Sequence, residues 1–244
     1  MFILDDLIFL VIALIHLPVY LFKKKFHRGF WARLGILPAG LNLNRPIWIH
    51  AVSVGEAIAV RGLIEELKKN FPGKRFVIST VTSTGNKIAQ SIARQQDLVT
   101  YLPLDFSFLV RGMINKINPC LFVIAETEIW PNLITYLYRK NIPVITVNGR
   151  ISDRSFGGYR LIKPALKPIL NKISLFCVQT PNDEQRLLYL GVAKNKIKIA
   201  GNMKFDQADY LMPGITADSA KFKTSLRLFA QEKLWVCGST HPQE

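Results

Sequence analysis

From Pro46 onward the chain alternates short β-branched runs with longer amphipathic stretches, and this alternation limits the fold more than any other feature. The strand-like runs are IWIHAVSV, FVIST, VTYL, CLFVIA, PVITVN, LFCVQ and KIKIA, with helix-like stretches such as Glu56 to Asn70 and Thr84 to Gln95 between them. The runs are apolar almost throughout rather than at every second position, the pattern of strands covered on both faces. A βαβα order of such strands predicts a parallel sheet between two layers of helices. The expected fold class is therefore α/β, a Rossmann-like doubly wound parallel sheet in a domain over residues 28–212. Ligands of such sheets bind beyond the carboxyl ends of the strands, where the strand order reverses. Chemistry is therefore sought in the loop after each strand.

Ahead of this domain, Leu7 to Phe22 (LIFLVIALIHLPVYLF) is a continuous apolar run interrupted by His16 and Pro18. It falls a little short of the roughly 20 residues of a full membrane span. A cleaved signal peptide is disfavoured, because Asp5 and Asp6 precede the run and no small-residue cleavage site comes after it. Lys23, Lys24, Lys25, Arg28 and Arg33 come directly after, interleaved with Phe26, Phe30 and Trp31. Residues 1–27 are thus expected to be a membrane-anchor helix with a basic juxtamembrane segment, placing the remainder of the chain in the cytoplasm. The basic and aromatic residues suit anionic headgroups. A helix packed on the domain itself is the alternative, and the run alone does not separate a spanning anchor from one lying in a single leaflet.

Charge points the same way. Lys plus Arg outnumber Asp plus Glu by 32 to 17, a formal +15, which implies an anionic partner or a merely solvated basic surface. With 49% hydrophobic residues the chain is not disordered. Cys120, Cys177 and Cys237 are isolated in apolar runs, so buried reduced thiols are expected rather than metal ligands.

Four loops carry candidate chemistry. After the first strand comes Ser53-Val54-Gly55-Glu56, in which Gly55 permits a tight turn and Glu56 falls at the helix start. A carboxylate there is either a helix-dipole partner or a general base, and spacing supports both equally. A helix N-terminus lowers a carboxyl pKa, so a base at this position needs burial or neighbouring carboxylates to raise it. The fourth strand ends in Ala125-Glu126-Thr127-Glu128-Ile129-Trp130-Pro131-Asn132, with Pro131 suited to a first helical turn. Strands one and four usually flank the crevice of a doubly wound sheet, which would bring Glu126 or Glu128 near Glu56. The alternative is that one of them caps its helix or pairs with Arg150. The fifth strand ends in Asn148-Gly149-Arg150-Ile151-Ser152-Asp153-Arg154, two arginines suited to bidentate grip of phosphate or to surface salt bridges. Further on, Lys204 in Gly201-Asn202-Met203-Lys204-Phe205-Asp206 is either an anion contact or a surface lysine.

No DxD pair, HExxH or GxxxxGK[ST] is present, and His16, His27, His50 and His241 lack metal-ligand spacing. A metal-independent mechanism without a cofactor is expected. Near the end, Ser219 to Gln231 reads as a helix and Lys233 to Gly238 as a new strand, with the polar STHPQE after it. A lone strand cannot bury its faces, so residues 213–244 are expected to be a linker, a helix and the first strand of a truncated second domain.

Taken together and in order, WIHAVSVGE, STVTSTG, ETEIWPNL, NGRISDRS, GNMKFD and GSTHPQE, with the juxtamembrane FHRGFWARLG, resemble the Kdo (3-deoxy-D-manno-octulosonic acid) transferases over roughly residues 28 to 244. The resemblance implies an inverting glycosyltransferase of the GT-B fold that moves Kdo from CMP-Kdo to a lipid A precursor (lipid IVA). The N-terminal half would hold the acceptor and the C-terminal half the donor. By match to VSVGE it implies Glu56 as general base, with Ser53 and Gly55 at the acceptor. By match to ETEIWPNL it implies Glu126 and Glu128 as supporting carboxylates. Lys204 and the terminal Ser239, Thr240 and His241 would contact donor or phosphate. Arg150 and Arg154 are read here as acceptor-phosphate ligands. The implied partners are the anionic lipid A precursor, CMP-Kdo and anionic inner-membrane lipids, at the cytoplasmic face of the inner membrane. With most of the donor half missing, the chain is expected to bind acceptor without turning over.

Two rivals remain. Another GT-B transferase, such as one adding N-acetylglucosamine to a membrane lipid, would differ in its donor. A membrane-tethered module binding nucleic acid would show steep salt dependence. The strand-end carboxylates, which repel phosphate backbones, argue against nucleic acid.

Overall fold

The computed structural model describes Asp6, residues 30–38 and 40–206, and Thr224. The expected anchor helix, the basic cluster Lys23 to Arg28, Cys237, and Ser239, Thr240 and His241 lie outside the described residues. The chain divides into two compact units, Met1–Gln207 and Ala208–Glu244, and the sheet belongs to the first.

All seven expected strands form, as β1 (Ile47–His50), β2 (Phe76–Thr80), β3 (Leu98–Tyr101), β4 (Leu121–Ala125), β5 (Val144–Gly149), β6 (Leu175–Val178) and β7 (Ile197–Ile199). They make one sheet in the order β3-β2-β1-β4-β5-β6-β7, and every pairing is parallel. The order reverses between β1 and β4, so the crevice of this α/β sheet opens there.

Alternating residues supply two separate cores. Trp48, Val77, Phe122 and Ile124 face one side, where Trp48 and Phe122 meet edge to face at 4.9 Å. Ile47, Ile49, Phe76, Ile78 and Val123 face the other. Because both faces are covered, every position of β1 and β2 is buried. That is why these strands read as continuous apolar runs. Inside the strands the Trp48 indole N–H donates to Ser79 Oγ at 2.7 Å.

The helices are α1 (Phe30–Arg33), α2 (Val54–Ala59), α3 (Arg61–Asn70), α4 (Ser83–Ile92), α5 (Ser107–Ile117), α6 (Pro131–Arg139), α7 (Asp153–Leu161), α8 (Lys163–Leu170) and α9 (Pro181–Tyr189). The stretch Glu56 to Asn70, read as one helix, is two, meeting at Val60, whose N–H still bonds Glu56 O at 3.0 Å. The first strand is shorter than IWIHAVSV. Val52 leaves the ladder because its carbonyl accepts from Val81 and Thr82 while its amide is taken by the Glu56 side chain. Cys120 and Cys177 are free thiols but only half-buried, since each sits where its strand meets a loop or a thinly covered face.

A buried ion pair closes the α3 side. Lys68 Nζ lies 2.6 Å from Asp97 Oδ2, with side-chain exposures of 3% and 0%. Asp97 also accepts from Phe76 N at 3.0 Å and Arg94 N at 2.8 Å, and Lys68 reaches Ile92 O at 3.2 Å. These bonds offset part of the desolvation of two buried charges.

Candidate active site

The loops after β1, β4 and β5 converge at the carboxyl edge of the sheet. Ser53 caps α2, and Glu56 is the third residue of that helix. Its carboxylate turns back onto its own loop: Oε2 accepts from Val52 N at 2.7 Å and Oε1 from the Ser53 hydroxyl at 2.9 Å. The two readings of Glu56 thus coexist. It closes a variant of the capping box, with the Val52 amide in place of the cap residue's own, and it is thereby aimed. Glu56 is only 8% exposed. Burial raises its pKa, the Val52 amide and Ser53 hydroxyl pull it down, and the charge of Glu126 adds a smaller upward push.

Glu128 carries the larger shift. Burial, and then the charges of Glu56 and Glu126, raise its pKa to about 7. The indole N–H of Trp130 draws it down a little, although that buried N–H is short of a full hydrogen bond. Tyr159, on α7, is raised by burial and by the charge of Glu128, which places the phenol on the same cluster. With its pKa raised to about 7, Glu128 holds its proton on a substantial fraction of molecules near neutrality. The upward shift expected from neighbouring carboxylates is present, but burial is its leading cause.

Backbone strain marks the same edge. Glu126 has φ 60° and Asn148 φ 54°, a left-handed region that non-glycine residues enter at a cost. The Glu126 amide bonds Val147 O at 2.8 Å, and the Arg150 amide donates to Thr127 Oγ1 at 3.0 Å. The β4 and β5 loops are therefore stitched together.

The STVTSTG segment plays a mechanical part that the sequence reading did not assign. Thr82 caps α4 and its hydroxyl donates to Val52 O at 3.3 Å. A Cβ on Gly85 would stand 2.8 Å from Thr82 Oγ1 and 3.3 Å from Ser53 C. Only glycine lets α4 press this closely on the loop that aims Glu56.

Ser53, Glu126, Glu128 and Arg150 lie on these loops, and Gly55 and Glu56 in the first turn of α2. Arg150 and Arg154 are exposed and, among the described residues, form no ion pair. Arg186 holds Asp153 and Ile151 O instead. An open cleft of about 260 Å³ is lined by Arg150, Ser152, Gln179, Thr180 and Arg186. Lys204 is exposed, on a loop pinned to β5 by a bond from Met203 N to Asn148 Oδ1. Nothing in the described region pairs Glu126 or Glu128 with Arg150.

Several polar groups at this edge escaped the sequence reading. His50 ends β1 wholly buried. Burial lowers its pKa to about 3, so it is neutral, with Nδ1 3.0 Å from Ser79 O. His50 Nε2, Trp130 Nε1, Asn132 Oδ1 and Asn148 Nδ2 are buried without a hydrogen-bond partner. All four lie at or just past the carboxyl ends of β1, β4 and β5. Nothing local in the sequence marks them, because their burial depends on neighbours far along the chain. Among the described residues no group of three His, Cys, Asp or Glu side chains is arranged to hold a metal ion.

Known proteins share both the sequence and the fold of this region. Residues 28–207 match the family described as 3-deoxy-D-manno-octulosonic-acid transferase (kdotransferase). A 3-deoxy-D-manno-octulosonic acid transferase of Haemophilus influenzae is 37% identical over 202 residues, covering 81% of this chain and 45% of its own. One from Chlamydia pneumoniae is 28% identical over 242 residues, covering 97% of this chain and 55% of its own. The chain thus spans about half the length of the curated relatives it matches. Among solved structures, the S. aureus MnaA–UDP co-structure aligns with TM-score 0.52 at 11% identity, over 74% of this chain and 51% of that one. That likeness concerns the fold alone.

Proposed function

This chain belongs to the 3-deoxy-D-manno-octulosonic-acid (Kdo) transferase family, and on that premise we propose that it is the acceptor-side half of an inverting, metal-independent glycosyltransferase. It moves Kdo from CMP-Kdo to a phosphorylated lipid A precursor of the lipid IVA type. The observation that carries the reading is the cluster of Glu56, Glu126 and Glu128 at the crevice between β1 and β4.

The roles derive from the environments. Glu56 accepts two hydrogen bonds that favour its ionised form, whereas Glu128 is poised near neutrality. Glu128 holding a proton removes a repelling charge from beside Glu56, which favours the ionised form that Glu56 needs as the base. Glu56 then takes the proton of the acceptor's primary hydroxyl as that oxygen bonds to the anomeric carbon of Kdo. The bond from that carbon to the CMP phosphate oxygen breaks on the opposite face, and CMP leaves with the electron pair. A base without an enzyme nucleophile gives one displacement and hence inversion. General-base catalysis of this kind contributes about 10²–10⁴-fold.

Arg150 and Arg154, exposed and unpaired among the described residues at the start of α7, meet the acceptor phosphates. Lys204, Ser239, Thr240 and His241 contact the donor, with the remainder of the donor site supplied by sequence beyond this half. The basic charge and the apolar run Leu7 to Phe22 suit a protein working on an anionic lipid at the cytoplasmic face of the inner membrane.

The test is Kdo transfer from CMP-Kdo to a tetraacylated lipid A precursor by the protein at its full natural length, beside Glu56→Gln. Transfer by the wild type and a fall of about 10²–10⁴-fold in a folded variant support the reading. Equal activity in the two removes Glu56 as base. A folded wild type that transfers only from UDP-sugars overturns the donor assignment.

A further inference from the structure

Trp130 stands two residues after Glu128, and its surroundings leave it little freedom. Pro131 follows it, and a residue before proline is confined to extended backbone. Trp130 accordingly sits at φ −114° and ψ 92° as the N-cap of α6, with its carbonyl accepting from Ile134 N at 2.9 Å. The next two amides, of Asn132 and Leu133, are held by the buried Asp105 at 3.0 and 2.9 Å. The Asn132 side chain donates to Asp6 Oδ1 at 3.0 Å, and the same oxygen caps α5 by accepting from Ser107 N at 2.8 Å. Two distant carboxylates thus fix the start of α6, and with it the root of the indole.

The ring is fixed as well. His50 meets it edge to face, with centroids 6.1 Å apart at 76°. Ser79 in turn holds His50, its carbonyl and hydroxyl oxygens each 3.0 Å from Nδ1. A rigid indole therefore presents a buried N–H at the crevice, and that N–H has no hydrogen-bond partner. A buried donor left unmade costs stability, so its presence in a native fold calls for a reason. The group it acts on is the Glu128 carboxyl, which it draws down without completing a hydrogen bond.

We propose that Trp130 is a positioning residue whose indole N–H is a donor held in reserve for Glu128, closing on that carboxylate when it ionises and releasing it when it takes a proton. The inference rests on the proposed function, in which protonated Glu128 favours Glu56 as the base. A hydrogen bond to an ionised acceptor is shorter and stronger than a neutral one, so ionisation is what completes the contact. The other titratable groups facing Glu128 are Glu56 from α2, Glu126 from its own loop and Tyr159 from α7. His50, behind the indole, is neutral. Among the described residues no cation pairs with Glu128. Without the indole N–H, Glu128 would hold its proton to higher pH. Its ionised form adds a negative charge to a crevice that must admit an anionic acceptor and an anionic donor, so transfer falls as it ionises.

Two measurements on the protein at full natural length test this. The first follows the indole N–H resonance of Trp130 by NMR in protein carrying isotope-labelled tryptophan, assigned by its loss in Trp130→Phe. A resonance that moves downfield as pH rises through about 7 in the wild type, and stays still in Glu128→Gln, supports the contact. A resonance that is still in the wild type, or that moves equally in Glu128→Gln, overturns it. The second compares the pH profiles of kcat/KM for Kdo transfer by wild type and Trp130→Phe. The expected result is an alkaline limb moved upward by about 0.5–1 pH unit, with the acid limb in place. A uniform loss at every pH with a lowered Tm overturns the proposal in favour of packing alone, and an unmoved profile overturns it outright. A wild type that transfers no Kdo, yet whose Trp130 resonance titrates with Glu128, sinks the transferase reading and leaves the contact standing.

Discussion

The amide of Met203 donates to Oδ1 of Asn148 at 3.1 Å, joining two loops 55 residues apart. Asn148 sits at φ 54°, and its carbonyl accepts from Gln179 Nε2 at 3.0 Å. The loop bearing Lys204 is thus latched to β5 at the residue before Gly149 and Arg150.

Replacing Asn148 separates bond from backbone. Asn148→Ala loses the Met203 bond and also disfavours the left-handed backbone, for a total of about 2 kcal/mol. Asn148→Gly loses the bond alone and is expected to be about 1 kcal/mol less harmful. Urea unfolding measures the difference, and amide exchange at Met203 should quicken in both variants. Equal stability of the two would remove the backbone argument.

Glu128 makes stability depend on pH. The unfolded carboxyl releases its proton near 4.5 and the folded one near 7. Between those values the folded protein binds more protons, so this group's contribution is full below the lower value and is lost as pH rises through the higher. Glu128→Gln should therefore match wild type near pH 4 and exceed it near pH 8 by about 1–3 kcal/mol. Tm measured across that range decides. A gain largest at low pH would contradict the shift.

Gly85→Ala should harm both stability and transfer. Its Cβ would meet Thr82 Oγ1 at 2.8 Å and the Ser53 backbone at 3.3 Å, an overpacking that costs about 1–3 kcal/mol. Relief comes by moving either the α4 cap or the loop that aims Glu56. Adding Thr82→Val, whose methyl fills the same space, should not restore stability. Thr82→Ser leaves the oxygen in place and serves as the control.

The buried pair of Lys68 and Asp97 stabilises the domain away from the site. Lys68→Ala leaves Asp97 buried with only its amide donors, a loss of about 3–5 kcal/mol. A double-mutant cycle with Asp97→Ala should show the two losses overlapping rather than adding. Additive losses would mean that each residue acts through its backbone partners, Ile92 O or Phe76 N.

Much of the fold was legible in residue order. Near-continuous apolar runs with helix-length spacing are dictated by burial on both faces, so all seven strands stand where the runs stood. The reversal between β1 and β4 came from the same doubly wound logic, and with it the meeting of Glu56 with Glu126 and Glu128. Pro131 in the first turn of α6 and Glu56 near the start of α2 were equally local signals. The break at Val60 was not legible, because the amphipathic period continues across it.

Sequence alone determined the sheet, its strand positions and the loops that carry carboxylates, because periodicity and capping act over a few residues. Only the tertiary structure decided that Glu128 rather than Glu56 has its pKa raised to about 7. It alone showed that Gly85 presses on Ser53 and that Asp6 and Asp105 cap helices far along the chain. Desolvation, close approach and capping across the chain depend on which distant residues arrive at one place, and no local pattern encodes that arrival.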